Sequence, residues 1–418
     1  MPFLTAHPPG AHAALASLRK QARTRARSGL LAALLVVLLA GLGLAGCSFV
    51  PERTPVPQNL AEQAEVPGIP RARIWGDAPP PWIGDLAKAD DAELRARFAD
   101  SFGKPHHYLA ISGGGPDGAY GAGLLNGWSE RGDRPEFNIV TGISTGALAA
   151  PFAFLGPDYD HVLTEVYTEN STKDLVERRS WIRILVSDSA ADTRLLRAKI
   201  AHYATPEVIE RIAAAHKAGR RLYIGTVNLD LARPVIWDIG AIAASGAPKA
   251  PDLIRDLMLA SASIPGAFPP VFIPVEADGR TYDEMHVDGG TATQVFLYPV
   301  GLDWRKITKR LQVPGKPHAY IIRNSKLQAD WEGVEPWLPR IAGRSVSSLI
   351  RTQGIGDIFR MYIAARRDGL DFNLAFIPDD FDLTPSEPFD PVYMKTLYDL
   401  GRRRALEGYP WAKAPPGM

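Results

Sequence analysis

Apolar and polar residues follow each other along the chain in blocks that predict strands and helices in turn. Short apolar runs at 107–111, 137–141, 222–227 and 318–323 have the length of buried strands, and residues 207–218 place apolar side chains on one helical face. Strands that alternate with helices predict an α/β fold with three layers, in which helices cover both faces of a mostly parallel central sheet.

The first fifty residues have a different pattern. Five basic residues within 19–27 precede an apolar run at 30–46, which ends at Cys47. This order resembles the export signal of bacterial lipoproteins, in which residues 1–46 would be removed and the cysteine would carry the lipid anchor. A transmembrane helix is the alternative, although the run is shorter than the roughly 20 residues that span a bilayer. We therefore expect a lipoprotein of the bacterial cell envelope that faces the periplasm, and Ser48 favours the outer membrane.

Three further segments follow the anchor. Eight prolines between residues 51 and 81 predict a semi-extended spacer over 47–84. We expect the functional domain at 105–303 and a carboxy-terminal α/β extension, packed on the same domain, at 304–418. Within the extension, residues 345–367 predict two helices that break near two glycines and pack mainly onto the core.

Composition removes several classes of function. Lys plus Arg number 47 and Asp plus Glu number 46, so no global charge recruits nucleic acid. Cys47 is the single cysteine and the nine histidines are scattered, so no disulfide within the chain and no metal site is predicted. We expect no metal and no cofactor.

A glycine-rich loop follows the first predicted strand. It contains Gly113, Gly114, Gly115 and Gly118, and a loop of this kind before a helix exposes backbone N–H groups that stabilise negative charge. The same spacing fits a dinucleotide site. That site also needs an acidic residue at the end of the second strand, whereas Glu136 precedes that strand.

The second strand runs into a G-x-S-x-G motif formed by Gly142, Ser144 and Gly146, which a run of helix formers follows. A serine between a strand and a helix in this motif is typical of a nucleophile elbow, where a strained turn exposes the hydroxyl. Ser144 is therefore the candidate nucleophile.

A third motif, Asp288-Gly289-Gly290, lies far downstream and by itself is an ordinary turn. The three motifs in this order, together with residues 257–270, resemble the patatin-like phospholipase family. The resemblance implies that Ser144 attacks a lipid or simple ester and that Asp288 accepts its proton. It also implies that the backbone N–H groups of Gly113, Gly114 and Gly115 hold the oxyanion.

One residue departs from the family pattern. Asp117 stands in the loop where the family usually has Arg or Lys, and its charge should disfavour anionic head groups. Two alternatives remain open: an α/β-hydrolase esterase with a Ser–His–Asp triad, for which His318 has the right chain order, and a catalytically silent scaffold lipoprotein.

Overall fold

A computed structural model describes residues 53–178, 189, 191–299, 301–329 and 331–418. The predicted signal sequence and Cys47 lie outside these residues. The strands are β1 (Arg73–Trp75), β2 (His107–Ile111), β3 (Ile139–Ile143), β4 (Glu177–Arg178), β5 (Ala191–Asp192), β6 (Arg221–Asn228), β7 (Arg233–Asp238), β8 (Val271–Ala277), β9 (Arg280–Asp288), β10 (His318–Arg323) and β11 (Asp371–Phe376).

The helices among these residues separate most of the strands along the chain. They are α1 (Ile83–Lys88), α2 (Asp91–Arg97), α3 (Gly118–Arg131), α4 (Thr145–Leu155), α5 (Asp160–Thr168), α6 (Thr172–Leu175), α7 (Arg194–Tyr203), α8 (Pro206–Lys217), α9 (Ile239–Ala244), α10 (Ala250–Ser261), α11 (Trp304–Arg310), α12 (Leu338–Asp368) and α13 (Pro391–Leu406).

Nine of the described strands form one mixed sheet in the order β1-β7-β6-β3-β2-β10-β11, and β9 pairs with both β6 and β8. The centre of the sheet, from β11 through β10, β2 and β3 to β6, is parallel. The strands β1, β7, β8 and β9 are antiparallel to their neighbours. Strands β4 and β5 form a separate two-stranded sheet.

Helices cover both faces of the sheet because its central strands are apolar on both faces. Leu109 and Val140 face a core that includes α3, α4, α5, α8, α10 and α13. Tyr108 and Ile321 face a second core, which includes α1, α2, α11 and the second half of α12. This arrangement is the three-layer α/β fold that the alternating pattern predicted.

The segment that follows residue 53 belongs to the folded domain, which corrects the prediction of a spacer over 47–84. Strand β1 pairs with the edge strand β7, and Val66, Ile69 and Ala72 are buried in the core. Two of its prolines, Pro67 and Pro70, lie between these buried positions. The many prolines restrict the backbone of the segment to extended and turn conformations. The burial of its apolar residues determines where the segment lies in the fold.

The carboxy-terminal residues supply two strands of the same sheet, β10 and β11. The predicted break at the glycines is wrong, because α12 is one helix of 31 residues. Gly354 continues the helix and makes room for the guanidinium of Arg323, since a Cβ atom at this position would lie 2.5 Å from an Arg323 nitrogen. The first half of the helix is exposed: Leu338 is 79% and Leu349 is 70% exposed, so the predicted packing onto the core is limited to the second half.

Helix α13 lies directly against α3. A Cβ atom at Gly123 would lie 1.9 Å from the carbonyl oxygen of Tyr398, and one at Gly127 would lie 2.3 Å from that of Arg402. The contact places the first turn of α13 beside the glycine-rich loop that precedes α3. Among the described residues, no helix is both long enough and apolar enough to cross a membrane.

Candidate active site

Ser144 occupies the sharp turn between β3 and α4. Its backbone has φ 55° and ψ −125°, a left-handed conformation that is strained for a residue with a side chain. The flanking glycines allow this turn: a Cβ atom at Gly142 would lie 2.4 Å from the carbonyl oxygen of Gly146, and one at Gly146 would lie 2.3 Å from that of Ile111. The strand-to-helix turn that the motif predicted is therefore present.

Ser261, the last residue of α10, holds the turn in place. Its hydroxyl accepts a hydrogen bond of 3.0 Å from the backbone N–H of Ser144 and donates one of 2.7 Å to the carbonyl oxygen of Gly225. The side chain is fully buried. Sequence reasoning did not assign a role to Ser261, although the residue lies within the 257–270 segment that carried part of the family resemblance.

Asp288 ends β9, and its carboxylate lies beside the Ser144 side chain. Its Oδ1 accepts a hydrogen bond of 2.7 Å from the backbone N–H of Gly290. Burial raises the pKa of Asp288 to about 7, against the opposing effects of the Ser144 side chain and the Gly290 N–H. A carboxyl group with this pKa can accept and release a proton near neutral pH.

The pairing of strands explains why two residues so distant in sequence meet. On one edge of β6, Ile143 of β3 lies opposite Gly225, and Asp288 of β9 lies opposite Thr226. The carboxyl ends of β3 and β9 therefore meet on the same edge. The residue after Ile143 is Ser144, so the hydroxyl and the carboxylate face each other across a gap between two collinear strands.

Glycines allow the close packing around this pair. A Cβ atom at Gly289 would lie 2.4 Å from the carbonyl oxygen of Gly225, and one at Gly290 would lie 3.0 Å from the Asp288 carboxylate. A Cβ atom at Gly118 would lie 2.3 Å from Thr145 Oγ1, so Gly118 lets α3 approach the start of α4. These motif glycines thus serve packing around the site.

The glycine-rich loop passes over Ser144, since a Cβ atom at Gly113 would lie 3.2 Å from that of Ser144. The N–H of Gly113 donates to the carbonyl oxygen of Gln294 at 3.1 Å, which corrects its predicted role as an oxyanion donor. Within the described part of the chain, the N–H groups of Gly114 and Gly115 have no acceptor. These two amides are the loop donors available to a ligand.

Gln294 is a buried residue that sequence reasoning missed. Its side-chain amide donates to the carbonyl oxygen of Gly290 at 2.6 Å, and its backbone N–H donates to Asp357 of α12 at 2.7 Å. Because its own carbonyl oxygen accepts from Gly113, Gln294 joins the glycine loop to the Asp288 turn. No local sequence pattern indicates such a link.

The histidines near these motifs have other partners. His286 is fully buried, and its ring contacts Thr226 Oγ1 at 2.9 Å and Glu284 at 3.1 Å. His318 begins β10 and contacts Asp371 at 3.0 Å. Since Ser144 lies beyond the carboxyl ends of the parallel strands, the length of β10, on the order of 16 Å, separates His318 from the site.

Asp117 lies in the 3-10 turn that joins the glycine loop to α3. Its carboxylate accepts a hydrogen bond of 2.7 Å from the hydroxyl of Tyr393 in α13. The charge of Asp117 also acts on the buried guanidinium of Arg323 and opposes the lowering of the pKa of Arg323 that burial causes. Asp117 therefore has both a hydrogen-bond donor and a cation close to it.

An apolar cleft starts at Ser144. Gly115 and Thr145 lie at the serine end, and the walls are mostly aliphatic and aromatic. The wall residues include Leu148, Phe152, Val166, Ile200, Met258, Phe268 and Met394. A cleft of this character beside a nucleophile fits an acyl chain.

A family model matches part of this chain. Residues 109–299 match the family model described as patatin-like phospholipase. A solved structure similar to this chain is that of VipD from Legionella pneumophila, at 11% sequence identity; the match covers 73% of this chain and 67% of that chain, with a TM-score of 0.37. A comparison with curated proteins gives no match.

Proposed function

We propose, on the premise that residues 109–299 form a patatin-like phospholipase domain, that this protein hydrolyses lipid esters with a Ser144–Asp288 dyad. The observation that carries the proposal is the position of the Ser144 side chain beside a buried carboxyl group whose pKa lies near 7. An ordinary aspartate, with a pKa of about 3.9, is too weak a base for this proton transfer.

The groups around the turn at Ser144 act one after another in the reaction. Asp288 takes the proton of Ser144 as Oγ attacks the ester carbonyl carbon. The N–H groups of Gly114 and Gly115 stabilise the oxyanion. Each such donor typically raises the rate by a factor of about 10² to 10³. Asp288 then gives its proton to the leaving alcohol, and water releases the acyl chain by the same steps in reverse.

The apolar cleft defines which part of the substrate lies where. Its walls are mostly aliphatic and aromatic, although Lys199 is among the lining residues, so the cleft takes the acyl chain and directs the ester carbonyl towards Ser144. The long chain of a lipid gains more from this cleft than a short ester does, at roughly 0.8 kcal/mol for each buried CH₂. This contribution favours lipids over small esters.

We further propose that the chain is a lipoprotein of the bacterial envelope, anchored through Cys47. This proposal rests on the sequence of residues 19–47. A lipid anchor would keep the enzyme at the membrane that contains its substrate.

Product analysis with the purified protein tests the proposed chemistry. Phospholipids, lysophospholipids, neutral glycerides and soluble esters are incubated with the enzyme, and the products are identified by mass spectrometry. Ser144→Ala and Asp288→Asn should abolish turnover, whereas His286→Gln and His318→Ala should retain most of it. Loss of turnover in a folded histidine variant would favour the triad esterase. If the wild-type protein cleaves none of these substrates, the scaffold alternative is correct.

A further inference from the structure

A second, polar cleft lies on the other side of the glycine loop from the apolar cleft. Gly115 and Met394 line the apolar cleft, whereas Asp117 and Tyr393 line the polar one. The loop and the first turn of α13 therefore form a wall that the two clefts share. A lipid whose acyl chain fills the apolar cleft has its polar end near this wall.

The polar cleft contains charges of both signs. Its cations include Arg323, Arg344 and Arg351, and its carboxylates include Asp117 and Asp382. Arg344 forms an ion pair with Glu332, which also lines the cleft, at 3.2 Å. Arg351 forms no ion pair with any residue in the described ranges, so its charge is available to a ligand.

Arg323 is the buried cation of this cleft. It is 3% exposed, and within the described residues its Nη1 has no hydrogen-bond partner. The charges of Asp357 and Asp117 act on this guanidinium, but a buried N–H group without a hydrogen bond costs free energy, and the planar donors of arginine match the oxygens of a phosphate group. The Asp117 carboxylate acts on the same guanidinium, so a site for positive charge lies beside a site for negative charge.

We propose that the polar cleft binds a zwitterionic phospholipid head group, with its phosphate on Arg323 and Arg351 and its ammonium on the Asp117 side. The proposal deepens the function proposed above and rests on it. A head group with phosphate and no ammonium brings no cation to the Asp117 carboxylate, so it lacks this attraction. Asp117 thus favours head groups that carry an ammonium group. Arg323 of β10 supplies the positive charge that the glycine-rich loop lacks.

The first experiment compares phosphatidylethanolamine and phosphatidylglycerol with the same acyl chains in the same detergent micelles. The wild-type protein should prefer phosphatidylethanolamine by about fivefold in kcat/KM, a size typical of one partly exposed ion pair. Asp117→Asn keeps an acceptor for the Tyr393 hydroxyl and should bring the ratio close to one. An unchanged ratio in this variant would refute the role of Asp117.

The second experiment isolates the phosphate contact. Rates on phosphatidylethanolamine are divided by rates on a soluble short-chain ester for each variant, which cancels changes in the dyad itself. Arg351→Gln should lower this quotient about fivefold. Arg340→Gln is the matched control, because Arg340 lies on the same helix α12 but does not line the cleft. Equal quotients for both variants would overturn the phosphate assignment.

Ligand binding separates a failure of this proposal from a failure of the proposed function. Glycerophosphoethanolamine is titrated into the Ser144→Ala protein, and binding is followed by the intrinsic tryptophan fluorescence, to which Trp331 at the cleft contributes. Weaker binding in Arg351→Gln, with normal binding in Arg340→Gln, supports the site even if no lipid is cleaved. Inorganic phosphate that binds as tightly as glycerophosphoethanolamine would indicate a simple anion site and would overturn the zwitterionic assignment.

Discussion

Asp288→Asn should make the protein inactive and, at neutral pH, more stable. The pKa of Asp288 rises from 3.8 to about 7 in the fold because the carboxyl group is buried. Since the folded pKa lies above the unfolded one, the stabilisation from the neutral carboxyl is complete below pH 3.8 and is lost as the pH rises through 7. Each pH unit corresponds to about 1.4 kcal/mol, so ionised Asp288 costs the fold on the order of 4 kcal/mol.

The assay is guanidinium unfolding, followed by tryptophan fluorescence, at pH values from 4 to 8. The asparagine variant should match the wild-type protein near pH 4 and exceed its free energy of unfolding by a few kcal/mol at pH 8. The amide oxygen of the introduced asparagine can still accept from the Gly290 N–H, so this hydrogen bond is kept. Ser144→Ala is the control, because it removes turnover without removing the carboxyl group. A stability difference that does not change with pH would refute the perturbed pKa.

Two further outcomes test the support of the elbow and the anchor. Ser261→Ala removes the acceptor of the Ser144 N–H and the donor to the Gly225 carbonyl oxygen. The free energy of unfolding, measured by thermal melting, should therefore fall by about 1 to 3 kcal/mol. The kcat for ester hydrolysis should fall as well. Cys47→Ser should move the protein from the membrane fraction to the soluble periplasmic fraction; retention on the membrane with residues 1–46 uncut would favour the transmembrane alternative.

The sequence predicted the parts of the site that are local. The turn at Ser144 needs a strand, two close glycines and a helix, and each of these is visible in a few consecutive residues. That Asp288 lies close to Ser144 could be predicted only from the family resemblance. Their proximity requires that β9 pairs with β6 on the same edge as β3, beyond the end of β3. No local pattern encodes that pairing.

The errors have one physical origin, which is contact between residues distant in sequence. Gly113 was predicted to donate to the oxyanion, but its N–H already donates to Gln294, 181 residues further along the chain. Gly354 was predicted to break a helix, yet it accommodates the Arg323 side chain within a continuous helix. Local propensity describes what a residue allows, and the tertiary partner decides which of the allowed states is used.

The attachment of the amino-terminal segment determines the path of mechanical force through the molecule. Arg53 forms an ion pair with Asp230, the carbonyl oxygen of Thr54 accepts a hydrogen bond from the Asp283 N–H, and Glu65 pairs with Glu276. A pull on the chain upstream of residue 53 would thus be transmitted to the β6–β7 turn through Asp230 and to the β8–β9 hairpin, which ends at Asp288. Ser144 follows the inner strand β3, which is joined to β9 through β6. The amino-terminal segment therefore contacts the hairpin that carries Asp288 directly and Ser144 through the sheet, so a force on this segment would act on the distance between the two groups.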